Sequence, residues 1–259
     1  MIPSIEIKER ARTWGVPEST IERDYAQNWF LGTLFTSWNE LVLKGGTGIR
    51  KTYIGGYRFS DDLDFTLVED ANEKSVKDFL SKTIIKTKEE SGIDFNDKVE
   101  LKENINGFEG KVYFRLLRSS GSPVGIKLDF TKSDMEEVVS PPLARSIIHP
   151  YSDDIGFEVK VYSLNEIIGE KLRSLFERTR PRDLYDVWYF SDKMNFDDVN
   201  KIFVRKCHFK GMKPALDSFL KRRDDFKNSW ENSLGHQLNK LPNFHETYDK
   251  VALILRKLL

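Results

Sequence analysis

Residues 41–67 read LVLKGGTGIRKTYIGGYRFSDDLDFTL. The run opens on Leu41, Val42 and Leu43, breaks at Lys44-Gly45-Gly46-Thr47, and ends in Asp62-Leu63-Asp64-Phe65. The closing alternation of polar and apolar residues has the period of a half-buried strand. Side chains two apart on a strand share a face, so Asp62 and Asp64 project together while Leu63 and Phe65 turn to the core. Two carboxylates about 7 Å apart on a rigid strand repel one another unless a cation lies between them. An oxygen-only pair suits Mg2+ or Mn2+, which bind through one or two carboxylates together with substrate phosphates. The glycines fit that chemistry, because glycine after a strand lets backbone N–H groups approach a phosphate closely. The purely structural alternatives are a solvated strand end for the aspartates and a tight strand-to-helix turn for the glycines.

Working outward, residues 4–15 read as a short helix that Pro17 interrupts. Ser19 and Glu22 have the spacing of a capping box, opening a helix to about Phe35 with Ile21, Tyr25, Trp29 and Phe30 on its apolar stripe. Arg23 and Asp24 within it read as a charged pair on an exposed face. Strands are expected at 41–44, 62–68, 98–103, 111–117, 124–131 and 157–162. A short helix or turn is expected at 47–54 and a lysine-rich helix at 73–90, while 140–150 read as irregular. In Ile126-Lys127-Leu128-Asp129-Phe130 the alternation puts Lys127 and Asp129 on one face.

From Ser163 the period changes from two to 3.6, which places a domain boundary between 1–162 and a helical 163–259. Ser163-x-x-Glu166 is a second capping box, and Ile167, Ile168, Leu172, Leu175 and Phe176 form the buried stripe of its helix. Pro181 stands near the start of the next helix, where its missing N–H costs nothing. Further helices are expected at 196–206, 213–222 and 243–259. The fold class is α/β (α+β), a mixed sheet followed by a helical C-terminal domain.

Composition narrows the function classes. Lysine plus arginine equals aspartate plus glutamate at 41 each, so any attraction for nucleic acid must come from uneven distribution. One cysteine, Cys207, excludes an internal disulfide, and with four histidines a cysteine/histidine zinc site is not expected. No stretch approaches the roughly 18 apolar residues of a membrane helix, and charges occupy the N-terminus where a signal peptide needs apolar residues. The expectation is a soluble, cytoplasmic protein without membrane contact.

The pattern KGGT…Y…RFSDDLDF, with Lys44, Gly45, Gly46, Thr47, Arg58, Ser60, Asp62 and Asp64 in one order and spacing, resembles the AbiEii/AbiGii toxin family of polymerase-β-like nucleotidyltransferases. The resemblance implies a metal-dependent transfer of a nucleoside monophosphate from an NTP, in an abortive-infection or toxin–antitoxin setting with a cognate antitoxin. Relatives act on the 3′ end of tRNA. It implies Asp62 and Asp64 as ligands of Mg2+ or Mn2+. The resemblance does not extend to a third carboxylate; Asp129, on a later strand with Lys127 on its own face, is the candidate as ligand or base, the alternative being a charge at a strand edge. Lys44, Gly45, Gly46 and Thr47 would cradle the β- and γ-phosphates, the Thr47 hydroxyl included. Ser60 joins them as a nucleotide-binding residue. Arg58 stands either to bind phosphate or to neutralise Asp61.

A second constellation, Lys171…Arg178…Arg182-Asp183-x-x-Asp186, resembles the second signature of the same family. It implies Lys171 at the nucleotide phosphates, Asp183 fixing that lysine or a catalytic water, and Arg182 and Asp186 in nucleotide binding. Without it, carboxylates in a first helical turn are explained by the helix dipole alone. Residues 201–223 hold eight basic residues against one acid, Asp217, with Phe203, Phe209 and Phe219 interleaved. Lys221, Arg222 and Arg223 are the candidate RNA contacts, the alternative being a solvated helix face. Competing functions are a nucleotidyltransferase acting on a small molecule or protein side chain, and a non-catalytic nucleotide-binding module.

Overall fold

A computed structural model describes residues 1–259. The chain divides into two compact units, Met1–Glu136 with Pro142–Tyr162, and Glu137–Pro141 with Ser163–Leu259. No helix is long and apolar enough to cross a membrane.

The first unit holds helices α1 (Ser4–Trp14), α2 (Glu18–Ser37), α3 (Gly45–Thr52) and α4 (Glu73–Ser91). Its strands are β1 (Leu41–Lys44), β2 (Asp62–Leu67), β3 (Asp94–Phe95), β4 (Glu100–Asn104), β5 (Gly107–Arg115), β6 (Val124–Thr131), β7 (Leu143–Ser146) and β8 (Glu158–Val161). They form one mixed sheet in the order β3-β5-β6-β2-β1-β8-β7, with β4 also pairing β5. The expected α/β architecture with a mixed sheet is the one found. Alternation decides which way each strand faces. Ile126, Leu128 and Phe130 of β6 are buried while Lys127 and Asp129 are exposed. On the buried face Phe65 stacks on Phe130 at 5.0 Å, and Trp38, capping α2, stacks on Phe130 at 5.6 Å and on Phe79 of α4 at 4.7 Å. Each such ring contributes roughly 1.5–3 kcal/mol by burial. The opposite face of β2 and β6 carries Asp62, Asp64, Lys127 and Asp129.

Several local expectations differ from the structure. Helix α2 begins at Glu18, with Pro17 as the extended N-cap residue and no side-chain cap. Glu22 does not close a capping box; it accepts from the Leu117 N–H at 2.9 Å. The expected irregular segment contains β7, and a two-residue β3 lies between α4 and β4. Asp24 is not on a solvated face. It is 3 % exposed, bonded to Arg50 Nε at 2.6 Å, Lys51 Nζ at 2.7 Å and the Tyr151 hydroxyl at 2.8 Å. A buried carboxylate would be driven neutral by desolvation, but the two cations hold its pKa well below the usual range.

The second unit comprises α5 (Leu164–Glu177), α6 (Pro181–Phe190), α7 (Phe196–Phe209), α8 (Leu216–Leu220), α9 (Arg223–Leu234) and α10 (Phe244–Leu258). A Cβ on Gly169 would lie 2.8 Å from Ile202, so glycine permits the close approach of α5 and α7. Ser163 caps α5 as expected, accepting from the Glu166 N–H at 3.2 Å. The Glu166 side chain is fully buried. It accepts from the Val139 and Ser140 N–H groups at 2.7 and 2.9 Å and meets Lys206 Nζ at 3.1 Å. The basic stretch 201–223 is largely paired within the unit. Lys206 is buried with Glu166, Arg205 meets Glu137 at 2.6 Å, and Arg223 meets Asp249 at 3.1 Å. Arg222 donates to the Leu175 carbonyl and to Thr179 Oγ1, at the C-terminal end of α5, and burial lowers its pKa. Of the three predicted RNA contacts, Lys221 is exposed while Arg222 and Arg223 are half-buried.

Candidate active site

The site of the first unit is assembled by strand register. β1 pairs antiparallel with β2 and sets Lys44 opposite Asp64. β2 pairs parallel with β6 and sets Asp62 opposite Lys127 and Asp64 opposite Asp129. Lys44, Asp64 and Asp129 therefore stand in one row across three strands. Lys44 is buried, its ammonium donating to Thr131 Oγ1 at 3.1 Å.

Helix α3 starts immediately after β1. Gly45 has φ +70, and a Cβ there would lie 2.5 Å from Asp64 Oδ2. A Cβ on Gly46 would lie 2.4 Å from Arg58 Nη2. Both glycines are thus dictated by the close approach of a side chain, Asp64 at Gly45 and Arg58 at Gly46, and Gly45 additionally by backbone conformation. Gly45→Ala is expected to displace the Asp64 carboxylate and strain the turn. Transfer should fall by about two orders of magnitude, the scale of a misplaced reacting group, and steady-state kinetics beside a melting curve would check it.

Thr47 is fully buried, and its hydroxyl donates to the Asp62 carbonyl. That bond joins α3 to the start of β2 and differs from the expected hydroxyl contact with phosphate. Arg23 pairs with Asp61 and donates to the Gly125 carbonyl at 3.0 Å. Gln27, which pattern reading did not single out, donates to the carbonyls of Ser60 and Asp61 at 3.1 and 3.2 Å and so fixes the entry into β2. Arg58 is 2 % exposed and Ser60 is buried, both on the segment leading into Asp62.

No three carboxylate, imidazole or thiolate groups converge closely enough to hold an ion by themselves. A paired Asp62 and Asp64 fits a cation that takes one or two carboxylates and completes its shell with phosphate oxygens. Asp129 is in register with Asp64 on the neighbouring strand, but it does not complete a three-carboxylate cluster with Asp62 and Asp64.

The predicted residues of the second unit cluster with one another. Lys171 Nζ lies 2.6 Å from Asp183 and 3.1 Å from Asp186, and Arg178 Nε lies 2.9 Å from the other oxygen of Asp183. Both aspartates are buried, so the helix dipole alone does not account for them. Burial would raise the Asp183 pKa, but Lys171 and Arg178 hold it well below the carboxylate range. Arg182 is half-buried in the first turn of α6. Lys171→Met would leave Asp183 with Arg178 and take the ammonium away from Asp186. A loss of about 3 kcal/mol is expected, at the lower end of the range for breaking a buried pair because the ammonium keeps some exposure. Denaturant unfolding measures it, and triphosphate affinity below the transition separates this loss from any role in binding.

A family model described as "Nucleotidyl transferase AbiEii toxin, Type IV TA system" matches residues 31–252. Among solved structures, MenT4, a nucleotidyltransferase toxin from Mycobacterium tuberculosis H37Rv, is 18% identical with a TM-score of 0.66. That match covers 100% of this chain and 90% of MenT4. A candidate nucleotidyltransferase from H. pylori is 20% identical with a TM-score of 0.60, over 94% of this chain and 96% of that one. At these identities the two structures speak to the fold. No curated protein sequence matches the chain.

Proposed function

The chain belongs to the AbiEii nucleotidyltransferase toxin family, and from that we propose that it transfers a nucleoside monophosphate from an NTP to the 3′ end of tRNA, with Mg2+ or Mn2+ as cofactor. As a toxin of a toxin–antitoxin system it has an antitoxin as its counterpart. The observation that carries the chemistry is the register of Asp64 with Asp129 beside the Gly45–Gly46 turn.

Asp62 and Asp64 would hold the divalent ion, which when bound would supply charge neutralisation for the triphosphate. Gly45 and Gly46 open α3, so their N–H groups and the helix dipole favour phosphate there. Asp129 accepts the proton of the acceptor hydroxyl. The hydroxyl oxygen forms its bond to the α-phosphorus as the bond to the bridging oxygen breaks, and pyrophosphate leaves with that electron pair. Thr47 and Gln27 act by position, the one through the Asp62 carbonyl and the other through those of Ser60 and Asp61. Lys171 stays assigned to the nucleotide phosphates by family resemblance, and its ion pairs with Asp183 and Asp186 fix its position.

The test is incubation of the purified protein with Mg2+, each labelled triphosphate in turn, and total tRNA. Metal-dependent label in tRNA supports the reading. Label appearing instead in a small molecule or in protein would move the acceptor to that class. No label in any fraction would overturn the catalytic assignment.

A further inference from the structure

The two candidate metal ligands of β2 are held in different ways. The β1–β2 ladder ends at Lys44–Asp64, and the β2–β6 ladder ends at Asp62–Lys127. Asp64 is therefore paired on both sides, with Lys44 and Asp129. Asp62 stands on the last rung and is paired with β6 alone, so its direction depends on what fixes the chain just before it. Helix α2 supplies that. Arg23 and Gln27 are four residues apart on α2 and share one stripe. Gln27 takes the Ser60 and Asp61 carbonyls, while Arg23 pairs with the Asp61 side chain and donates through Nε to the Gly125 carbonyl at 3.0 Å. Asp61 precedes the last rung on β2, and Gly125 lies two residues before Lys127 on β6. Arg23 thus joins the two strands immediately beyond the point where their ladder stops. Helix α2 packs on the buried face of the sheet, where Phe35 meets Phe65, so the ion pair draws Asp61 to the side opposite Asp62 and Asp64.

We propose that Arg23 is a positioning residue for the metal site: by holding Asp61 and the Gly125 carbonyl together it closes the open end of the β2–β6 pair and fixes the direction of the Asp62 carboxylate. A guanidinium suits this task because its donors point in fixed directions, whereas an ammonium is a single point charge. The inference rests on the reading of Asp62 and Asp64 as ligands of a divalent ion.

The test is Mn2+ titration followed by electron paramagnetic resonance, with the full chain and a non-hydrolysable triphosphate, the depletion by the triphosphate alone being subtracted. Arg23→Gln should raise the apparent Mn2+ dissociation constant about tenfold, the lower end of the effect of removing a group that orients a metal ligand. The sign is diagnostic. Removing a cation near a divalent ion would by charge alone tighten its binding, so weaker binding marks a loss of position. Arg23→Lys keeps the charge without the fork and should fall between the two. Asp61→Ala should weaken Mn2+ binding as Arg23→Gln does, and the double variant should be no weaker than either, because the two residues act as one unit. In transfer assays the half-saturating Mg2+ concentration should rise while kcat at saturating Mg2+ stays near wild type. Melting curves should shift only slightly, since a half-buried ion pair adds little stability. Should wild type bind Mn2+ and Arg23→Gln bind it as tightly or more tightly, whatever its melting temperature, Arg23 has no positioning role and the metal reading stands. Should wild type show no Mn2+ binding beyond the triphosphate, the metal reading falls and this inference with it.

Discussion

Asp64→Asn is expected to abolish nucleotidyl transfer while the fold persists. The amide keeps the shape of the carboxylate but loses the charge that would hold a divalent ion, and several kcal/mol of transition-state stabilisation go with it. That corresponds to a fall of roughly a thousandfold or more in kcat. Asp64 is half-buried at the open face of β2, not in the apolar core, so the melting temperature should change little. Asp62→Asn should behave alike, since the two side chains share one face of the strand. Single-turnover transfer at saturating Mg2+ measures the effect. Near-normal transfer by either variant would mean that the row of Lys44, Asp64 and Asp129 does not perform the chemistry.

Asp24→Asn should act in the opposite way, on stability before activity. It leaves Arg50 and Lys51 buried with one neutral amide between them, and both cations are under 4 % exposed. Breaking a buried charge network by removing one partner costs about 3–5 kcal/mol, which for a chain of this size lowers the melting temperature by roughly 10 °C. The same network sets an acid limit. Asp24 has a folded pKa depressed below its unfolded value of about 3.9. Its contribution is therefore complete above about pH 4 and is lost as the pH falls below that, and Asp183 behaves likewise. Wild type should lose stability steeply below about pH 4, and Asp24→Asn should show a shallower loss over that range. Identical acid profiles would contradict the assignment. Because α3 carries both Arg50 and the Gly45–Gly46 turn, loss of this network is expected to loosen the site as well.

How far the chain could be read before its structure depends on how local each signal is. Strand β6 coincides with its expected span, because Ile126, Leu128 and Phe130 alternate cleanly with Lys127 and Asp129 and one face is fully buried. The edge strand β7 was illegible for the converse reason. Leu143, Ala144, Arg145 and Ser146 are all exposed, and pairing with β8 alone leaves no alternation to detect. The Gly-Gly and Asp-x-Asp pair was visible as composition and spacing. What was not visible is that Gly45 is demanded by Asp64, 19 positions on, through a contact that exists only after β1 and β2 pair.

Charged residues were the hardest to place, since nothing local says whether a charge is solvated or paired. Asp24 reads as surface from its neighbours, yet its partners Arg50 and Tyr151 lie 26 and 127 positions away. The basic stretch 201–223 likewise reads as a positive stripe. Its neutralising groups are Glu137, Glu166 and Asp249, all outside the stretch. The motif singles out Lys171, Asp183 and Asp186 as a set, but their mutual burial follows from the packing of α5 against α6.

The central claim is that Asp62 and Asp64 hold a divalent cation together with the triphosphate. Mn2+ binding followed by electron paramagnetic resonance, in the presence of a non-hydrolysable triphosphate, tests it without reference to the acceptor. Wild type should deplete the free Mn2+ signal in proportion to protein, beyond what the triphosphate alone chelates, and Asp62→Asn and Asp64→Asn should add nothing to the depletion by the triphosphate. Equal depletion by all three proteins would contradict the account.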